Sequence, residues 1–459
     1  MFPFPDALRS ELRATLALAA PLAAANLANM AMGITNAVMV GHLGGAALAA
    51  AGLGAGIYFT LCMICQGLLN AVAPLAAHAL GAGNRDAAGR VAGAGLAMAV
   101  LIAPALLVLL TLAPLLLGAI GYDPALTENI GDYIAAIRWG APAFLLSAVL
   151  RAVLSATGRP RVIMMVLLCG IPANAGLSWL LIFGHLGMPA LGVAGSGCAT
   201  AVIQWLTMLS LAAYMRLAPG QVPVRFGLRL FAEFREILRI GLPIGGHFAM
   251  EVGVFNTTGV VMGLFGADAL GAHQLAINFA SLTFMVPLGI AQAAVVRVAL
   301  HLGAGGGIAA ARAGRTAIAL AGIFMLAMSV LMIAAPLRII GLYLDTAAPA
   351  NLGVVPIAVS LILIAALFQV LDGVQVVAVG ALRGYRDTAV PMLLAAFGYW
   401  VIGFPGGWAL AFPLGWGPTG LWWGLALGLT VVAVALLLRL ESRARSETET
   451  ALPAAQPAL

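Results

Sequence analysis

The chain has 459 residues, of which 63% are hydrophobic and 8% are charged, and its formal net charge is +6. A soluble protein of this length needs far more charge to cover its surface, so the composition excludes a soluble globular fold. The 22 basic residues are all arginine and are dispersed among short loops, which argues against a nucleic-acid partner. The apolar residues form runs of about twenty or more, enough to cross a hydrocarbon core about 30 Å thick. We therefore predict an all-α integral membrane protein.

The apolar runs and the breakers between them predict twelve membrane-spanning helices. In chain order these helices cover residues 14–40, 46–80, 91–118, 131–157, 162–186, 191–217, 239–265, 268–302, 316–341, 353–382, 389–411 and 419–440. The second and eighth are long enough to be tilted or to end in an interfacial turn.

Arginine is concentrated at one end of the predicted helices. Eighteen arginines fall on that side: Arg9, Arg13, Arg85, Arg90, Arg159, Arg161, Arg216, Arg225, Arg229, Arg235, Arg239, Arg312, Arg315, Arg383, Arg386, Arg439, Arg443 and Arg445. By the positive-inside rule this end faces the cytoplasm. We therefore expect a multi-pass protein of a bacterial inner (plasma) membrane with both termini in the cytoplasm.

The chain also contains an internal repeat. The segment GHLGGAALAA (41–50) is similar to GLFGADALGA (263–272), and at the same offset of 222 residues Pro21 matches Pro243. Each half would hold six helices in the same orientation. We predict two six-helix lobes related by a pseudo-two-fold axis along the membrane normal, an arrangement typical of transporters whose site lies between the lobes.

The repeat and the breakers together divide the chain into four parts. We predict an N-lobe over residues 1–217, a cytoplasmic linker over 218–238, a C-lobe over 239–440 and a disordered C-terminal tail over 441–459. The linker is predicted to be an amphipathic segment that Arg225, Arg229 and Arg235 hold at the lipid headgroups.

Two acidic residues lie inside predicted membrane helices, Glu251 in the seventh and Asp372 in the tenth. Glu251 is twelve residues from Arg239 and Asp372 is eleven from Arg383, so at about 1.5 Å per residue both lie at a similar depth. No arginine of this lobe is expected at that depth. Because a mid-membrane charge is costly, such acids normally face a partner or a wet cavity.

Polar side chains accompany this pair along helical faces. They are Thr258 on the seventh helix, Gln274 and Asn278 on the eighth, and Gln375 on the tenth. Carboxylate, amide and hydroxyl oxygens suit a hard monovalent cation such as Na⁺, with Glu251 and Asp372 as its ligands, and burial makes H⁺ a competitor. The alternative is a pair of protonated, hydrogen-bonded structural acids.

The first lobe has polar residues without a charge. Asn29 and Asn36 share one face of the first helix with Asn26, and Asn174 lies on the fifth helix. Asparagines of this kind can line a substrate cavity or can pack helices together through amide hydrogen bonds. The sequence leaves these two roles open.

Four longer segments have a more specific pattern than the twelve spans alone: VGHLGGAALAAAGLG (40–54), IPANAGLSWLLIFGHLGMPALGVAGSGCAT (171–200), GAHQLAINFASLTFMVPLGIAQAAVVRVALHLG (271–303) and LDGVQVVAVGALRGYRDTAVPM (371–392). These segments resemble the multidrug and toxic compound extrusion (MATE) family, NorM-like branch. The resemblance covers nearly the whole chain. It implies that Glu251 and Asp372 are the coupling carboxylates, that Gln274 contributes to the cavity and that Asn174 belongs to the polar set of the first lobe.

The sequence departs from the family pattern at two positions. Asn36 stands where members usually carry an aspartate, and an amide cannot titrate, so coupling is expected at Glu251 and Asp372. Phe368 stands one turn before Asp372, where NorM-like proteins can place a tyrosine; this removes a possible hydroxyl ligand from the cavity wall.

These observations predict a secondary active multidrug efflux transporter. It would exchange lipophilic cations and amphipathic drugs for Na⁺ or H⁺ by alternating access, without a cofactor and as a monomer, with membrane lipid around it. An enzyme is not expected, because no catalytic cluster is visible. The alternative is a lipid-linked oligosaccharide flippase of the same superfamily, which would require an arginine-lined cavity for pyrophosphate.

Overall fold

A computed structural model describes residues 6–121, 123–227 and 230–451, and these residues form sixteen α-helices. The helices of the first half are α1 (Asp6–Gly41), α2 (Gly45–Leu69), α3 (Val72–Gly81), α4 (Arg85–Ile120), α5 (Pro124–Ile137), α6 (Ala141–Ala156), α7 (Pro160–Phe183) and α8 (Gly192–Leu217). Those of the second half are α9 (Leu230–Met262), α10 (Ala267–Gly303), α11 (Gly307–Ala334), α12 (Pro336–Gly341), α13 (Val354–Gly384), α14 (Ala389–Ala396), α15 (Phe404–Ala411) and α16 (Gly417–Ala451).

Twelve helical segments in the described ranges are long and apolar enough to cross a membrane, which confirms the predicted number of spans. Three of them combine shorter helices. The second span joins α2 and α3, the fourth joins α5 and α6 through a 3₁₀ turn, and the eleventh joins α14 and α15 through a π-helix at Phe397–Gly403. The all-α membrane fold is therefore confirmed.

The chain separates into two compact units whose boundaries lie inside helices. The C unit comprises Met1–Ala23 and Gly246–Leu459, and the N unit comprises Ala24–Gly245. Helices α1 and α9 thus each change unit two residues after a proline, Pro21 and Pro243. The predicted lobes instead place each of these helices wholly in one lobe.

The N unit is built around α8, which packs against α5, α6 and α7. The segment after α8 crosses the start of α4, where two glycines make room for its backbone. A Cβ added at Gly89 would lie 2.2 Å from the Pro223 carbonyl oxygen, and one at Gly93 would lie 2.3 Å from that of Arg225. This close approach requires residues without a side chain.

The structure gives further detail on the predicted linker. The Arg225 guanidinium pairs with Asp86 at 3.1 Å, and the Arg225 backbone N–H donates to the Gly89 carbonyl. Helix α9 already begins at Leu230, so Arg235 is helical. Arg229 lies outside the described residues.

The C unit is built around α13, which packs against α10, α11 and α16. Small residues of α13 allow this. A Cβ at Gly380 would lie 2.6 Å from the Ala291 carbonyl oxygen of α10, and one at Gly373 would lie 2.4 Å from the Met325 side chain of α11. Because Gly373 follows Asp372 directly, the close packing of α13 against α11 also fixes the position of Asp372 relative to α11.

Among the boundaries that differ from the sequence prediction, two have a clear physical reason. The ninth span ends at Ala334, because Pro336 disfavours helical geometry at Ala335, and α12 is a separate short helix. The tail was expected to be disordered from 441, yet α16 continues to Ala451, with Glu441 paired to Arg315 at 2.7 Å. Residues 452–459 lie outside the described part of the chain.

Candidate functional site

The C unit brings the two predicted carboxylates together. Glu251 lies on α9 and Asp372 on α13, both are half-buried, and they are close enough for their charges to interact. Two acids whose charges interact in an apolar surrounding repel each other when both are ionised. The arrangement is therefore favourable for a bound cation or proton.

A π-helix positions α9 against this site. The Trp400 indole Nε1 donates a hydrogen bond to the Met250 carbonyl at 3.1 Å, and Gly253 leaves room for the same indole ring. One residue earlier, Tyr399 is buried and interacts electrostatically with both carboxylates. Single π-helical turns within α-helices often occur at functional sites.

Tyr399 is a residue near the carboxylates that the sequence analysis missed. Its hydroxyl accepts a hydrogen bond from the Gln375 Nε2 at 2.5 Å, so Gln375, a predicted cavity residue, is buried and connected to the carboxylates through this tyrosine. The only signal in the sequence was an aromatic pair, Tyr399 and Trp400, in an apolar span. Two adjacent aromatic residues in an apolar helix do not indicate which side chains of other helices they will contact.

Two further ionisable groups approach Glu251. The Nε2 atom of buried His247, one turn earlier on α9, lies 3.8 Å from the Glu251 Oε2 atom. Arg383 interacts electrostatically with Glu251, and its guanidinium lies 5.0 Å from the centre of the Phe248 ring. The sequence analysis expected no arginine of this lobe at the depth of the pair; the structure brings Arg383 of α13 within electrostatic range of Glu251.

The other predicted residues of the C unit fall into two groups. Gln274 and Asn278 are exposed on one face of α10. Thr258 is buried and donates to the Val254 carbonyl of its own helix at 2.8 Å. Phe368 is 5% exposed and its ring packs 6.0 Å from that of Trp422, so it is a core residue here and not part of a cavity wall.

The N unit contains a neutral hydrogen-bond network centred on Asn36. The Asn36 Oδ1 atom accepts hydrogen bonds from the Asn174 Nδ2 at 2.7 Å and from the Ser178 hydroxyl at 2.9 Å. The Asn36 Nδ2 donates to the Thr200 hydroxyl at 3.0 Å. This network connects α1, α7 and α8. Asn29 lies outside it: the side chain is exposed and makes no hydrogen bond within the described ranges.

This difference predicts a contrast in stability between two matched substitutions. Asn36→Leu leaves the buried Asn174 amide and Ser178 hydroxyl without their acceptor, and each unpaired buried group costs about 1–3 kcal/mol. Asn29→Leu removes no bond and should change stability by less than about 0.5 kcal/mol. The melting temperatures of both purified variants test this; equal temperatures would contradict a structural role for the Asn36 network.

Among residues 6–121, 123–227 and 230–451, no group of three or more His, Cys, Asp or Glu side chains could hold a metal ion. The carboxylate pair has the Tyr399 hydroxyl within electrostatic range. Oxygen donors of this type match small hard cations.

The chain was compared with known proteins. The family model described as MatE matches residues 21–180 and 243–409. A "Probable multidrug resistance protein NorM" of Burkholderia mallei is 42% identical over 435 residues, which cover 94% of this chain and 92% of the relative. Its counterpart in Mesorhizobium japonicum is 42% identical over 432 residues, covering 93% and 92%.

A solved structure of a eukaryotic MATE transporter, AtDTX14, superposes with a TM-score of 0.87. The match covers 97% of this chain and 100% of that structure at 22% identity. At this identity the likeness concerns the fold, and it extends over nearly the full length of both chains.

Proposed function

This chain belongs to the multidrug and toxic compound extrusion (MATE) family, in its NorM-like branch, and we propose that it couples drug export to the entry of a cation bound by Glu251 and Asp372. The predicted family and activity are confirmed: the protein is a multidrug efflux transporter and not an enzyme. The coupling ion, the site residues and the transport cycle are the subject of this proposal.

The observation that supports the coupling site is the pair of interacting carboxylates beside Tyr399. In one conformation the pair binds Na⁺ or H⁺, which removes the repulsion between the two acids. In the other conformation the ion leaves. Exchange requires that the ion and the drug each have different affinities for the two conformations. A membrane potential adds about 2.3 kcal/mol per charge per 100 mV to the driving force.

The substrates are small molecules, chiefly lipophilic cations. The exposed amides Gln274 and Asn278 on α10 give the C unit a weakly polar surface without a fixed charge, and Asn29 on α1 does the same for the N unit. Surfaces of this kind accept many amphipathic cations with low specificity. If the drug cation and the coupling ion compete for Glu251 and Asp372, binding of one displaces the other, and this would account for their exchange.

The Asn36 network supports coupling through the C unit alone. Because both of its polar atoms are already hydrogen-bonded and an amide does not titrate, Asn36 contributes no proton-binding group to the N unit. We further propose that the arginine-rich helix ends face the cytoplasm, that both termini lie there, and that the chain acts as a monomer in the bacterial inner membrane.

Transport by the wild-type chain under separate ion gradients tests this function. A Na⁺ gradient and an H⁺ gradient are imposed separately on proteoliposomes that contain the purified protein. Ethidium export is expected under one of them, and the gradient that drives export identifies the coupling ion. Collapse of that gradient with an ionophore should stop export. Ethidium movement that continues without any ion gradient would contradict antiport.

A further inference from the structure

A basic cavity of about 520 Å³ lies at the arginine-rich end of the C unit. It is formed by the start of α11, the end of α16 and one residue of α1, Leu8. Its polar lining consists of Arg312, Arg315, Thr316, Arg445, Thr448 and Glu449. The volume is in the range of ligand-binding pockets, about 300–1,000 Å³.

Two polar groups of this cavity have no partner in the described part of the chain. Arg312 makes no ion pair or hydrogen bond there, whereas its neighbour Arg315 is satisfied by two hydrogen bonds to Glu441. Thr316 is 6% exposed, and its hydroxyl is buried without a hydrogen-bond partner. A guanidinium and a threonine with an unpaired hydroxyl, both lining one cavity, suit an anionic oxygen ligand, because both groups can donate to it.

The net charge of the cavity lining remains positive when its acidic residue, Glu449, is included. Arg315 is offset by Glu441, and the exposed Glu449 offsets one of the other two arginines. Arg445 lies within electrostatic range of Glu441 but forms no ion pair with it inside the described ranges. The cavity therefore offers one net positive charge, carried by the two guanidinium groups of Arg312 and Arg445, to a phosphoryl group.

Exposed apolar stripes lead away from the cavity along both helices. On α11, Ile323, Leu326 and Val330 are exposed and share the helical face of Arg312. On α16, Leu427, Val434 and Leu438 are exposed and share the face of Arg445. In a membrane-spanning segment these exposed apolar side chains contact acyl chains, so the stripes continue the cavity into the lipid.

We propose that this cavity binds the phosphoryl headgroup of an anionic phospholipid, with its acyl chains along the stripes of α11 and α16. Arg312 and Arg445 hold the phosphate oxygens through charged hydrogen bonds, and the Thr316 hydroxyl donates a third. Basic pockets between membrane helices at the cytoplasmic side are suited to such headgroups. The site is separate from Glu251 and Asp372 and does not depend on the coupling proposed there.

Native mass spectrometry of the full-length protein, titrated with phosphatidylglycerol, tests this site. The double variant Arg312→Gln/Arg445→Gln should weaken phosphatidylglycerol binding about tenfold or more, since each charged hydrogen bond contributes strongly. Thr316→Val, which keeps the side-chain shape, should weaken it less. The matched control is Arg216→Gln, an exposed arginine of the N unit outside the cavity, which should leave binding unchanged.

The outcomes distinguish specific binding of the lipid in the cavity from general electrostatic attraction to a positively charged protein. Equal losses in the double variant and in Arg216→Gln would overturn the site, because the effect would then come from overall charge. Displacement of the lipid by inorganic phosphate at equal concentration would also overturn it, because the acyl chains would contribute nothing. Unchanged melting temperatures of the three variants ensure that a loss of binding reflects the cavity.

Discussion

Replacing Glu251 by Gln or Asp372 by Asn is expected to reduce ion-driven ethidium export by about tenfold or more. Each amide keeps the shape of the side chain but removes one of the two charges that attract the cation. Coupling free energies between ligands are typically about 1–3 kcal/mol, which corresponds to about 5–150-fold changes in affinity. The rate of export from proteoliposomes, under the gradient that drives the wild-type chain, measures this loss.

The matched control for this result is Asp132→Asn. Asp132 is an exposed carboxylate on α5 of the N unit, so its neutralisation removes one negative charge without touching the pair. Export by this variant should equal that of the wild type. Ethidium binding to Glu251→Gln should remain measurable, which separates loss of coupling from loss of fold. Normal export by both amide variants would eliminate the proposed coupling site.

The second large effect is expected at Glu11, near the start of α1. Arg297 of α10 donates to both oxygens of the Glu11 carboxylate, at 2.9 and 2.6 Å, and the His301 ring approaches it at 3.2 Å. The side chains of Glu11 and Arg297 are 7% and 18% exposed. Glu11→Gln leaves a largely buried guanidinium without its counter-charge, at a cost of about 3–5 kcal/mol.

We expect this substitution to lower the melting temperature of the purified protein by roughly 6–12 °C. The Arg315–Glu441 pair of the same unit provides a matched control. It has the same two-bond geometry, at 2.9 and 2.7 Å, but its side chains are 57% and 41% exposed. Exposed pairs contribute about 0–1 kcal/mol, so Glu441→Gln should shift the melting temperature little. Equal shifts would show that burial does not govern the Glu11 cluster.

The cluster also shows why the boundary of the C unit falls inside α1. The first part of this helix is tied to α10 by Glu11 and by a close backbone approach, because a Cβ at Gly289 would lie 2.5 Å from the Ala23 nitrogen. The sequence places Glu11 at a helix end with no visible partner. Its partner is 286 positions away along the chain, which no local pattern predicts.

The sequence by itself determined the features that depend on the membrane as a solvent. Long apolar segments must form helices, because every backbone polar group needs an internal partner in lipid, and this gave the twelve spans. The rarity of mid-membrane acids singled out Glu251 and Asp372 for the same reason, since a charge there is costly unless it has a role. The quoted motifs added the family, which the relatives confirm.

The tertiary structure alone decided which side chains meet. Tyr399 approaches both carboxylates, Arg383 approaches Glu251, and Phe368 lies in the core, because packing between helices sets the rotation of each helix about its axis. It also decided that α1 and α9 are shared between units and that α16 continues past 441. Hydropathy indicates which segments lie in the bilayer. Contacts between segments that are distant in sequence depend on how their side chains pack together, which hydropathy does not describe.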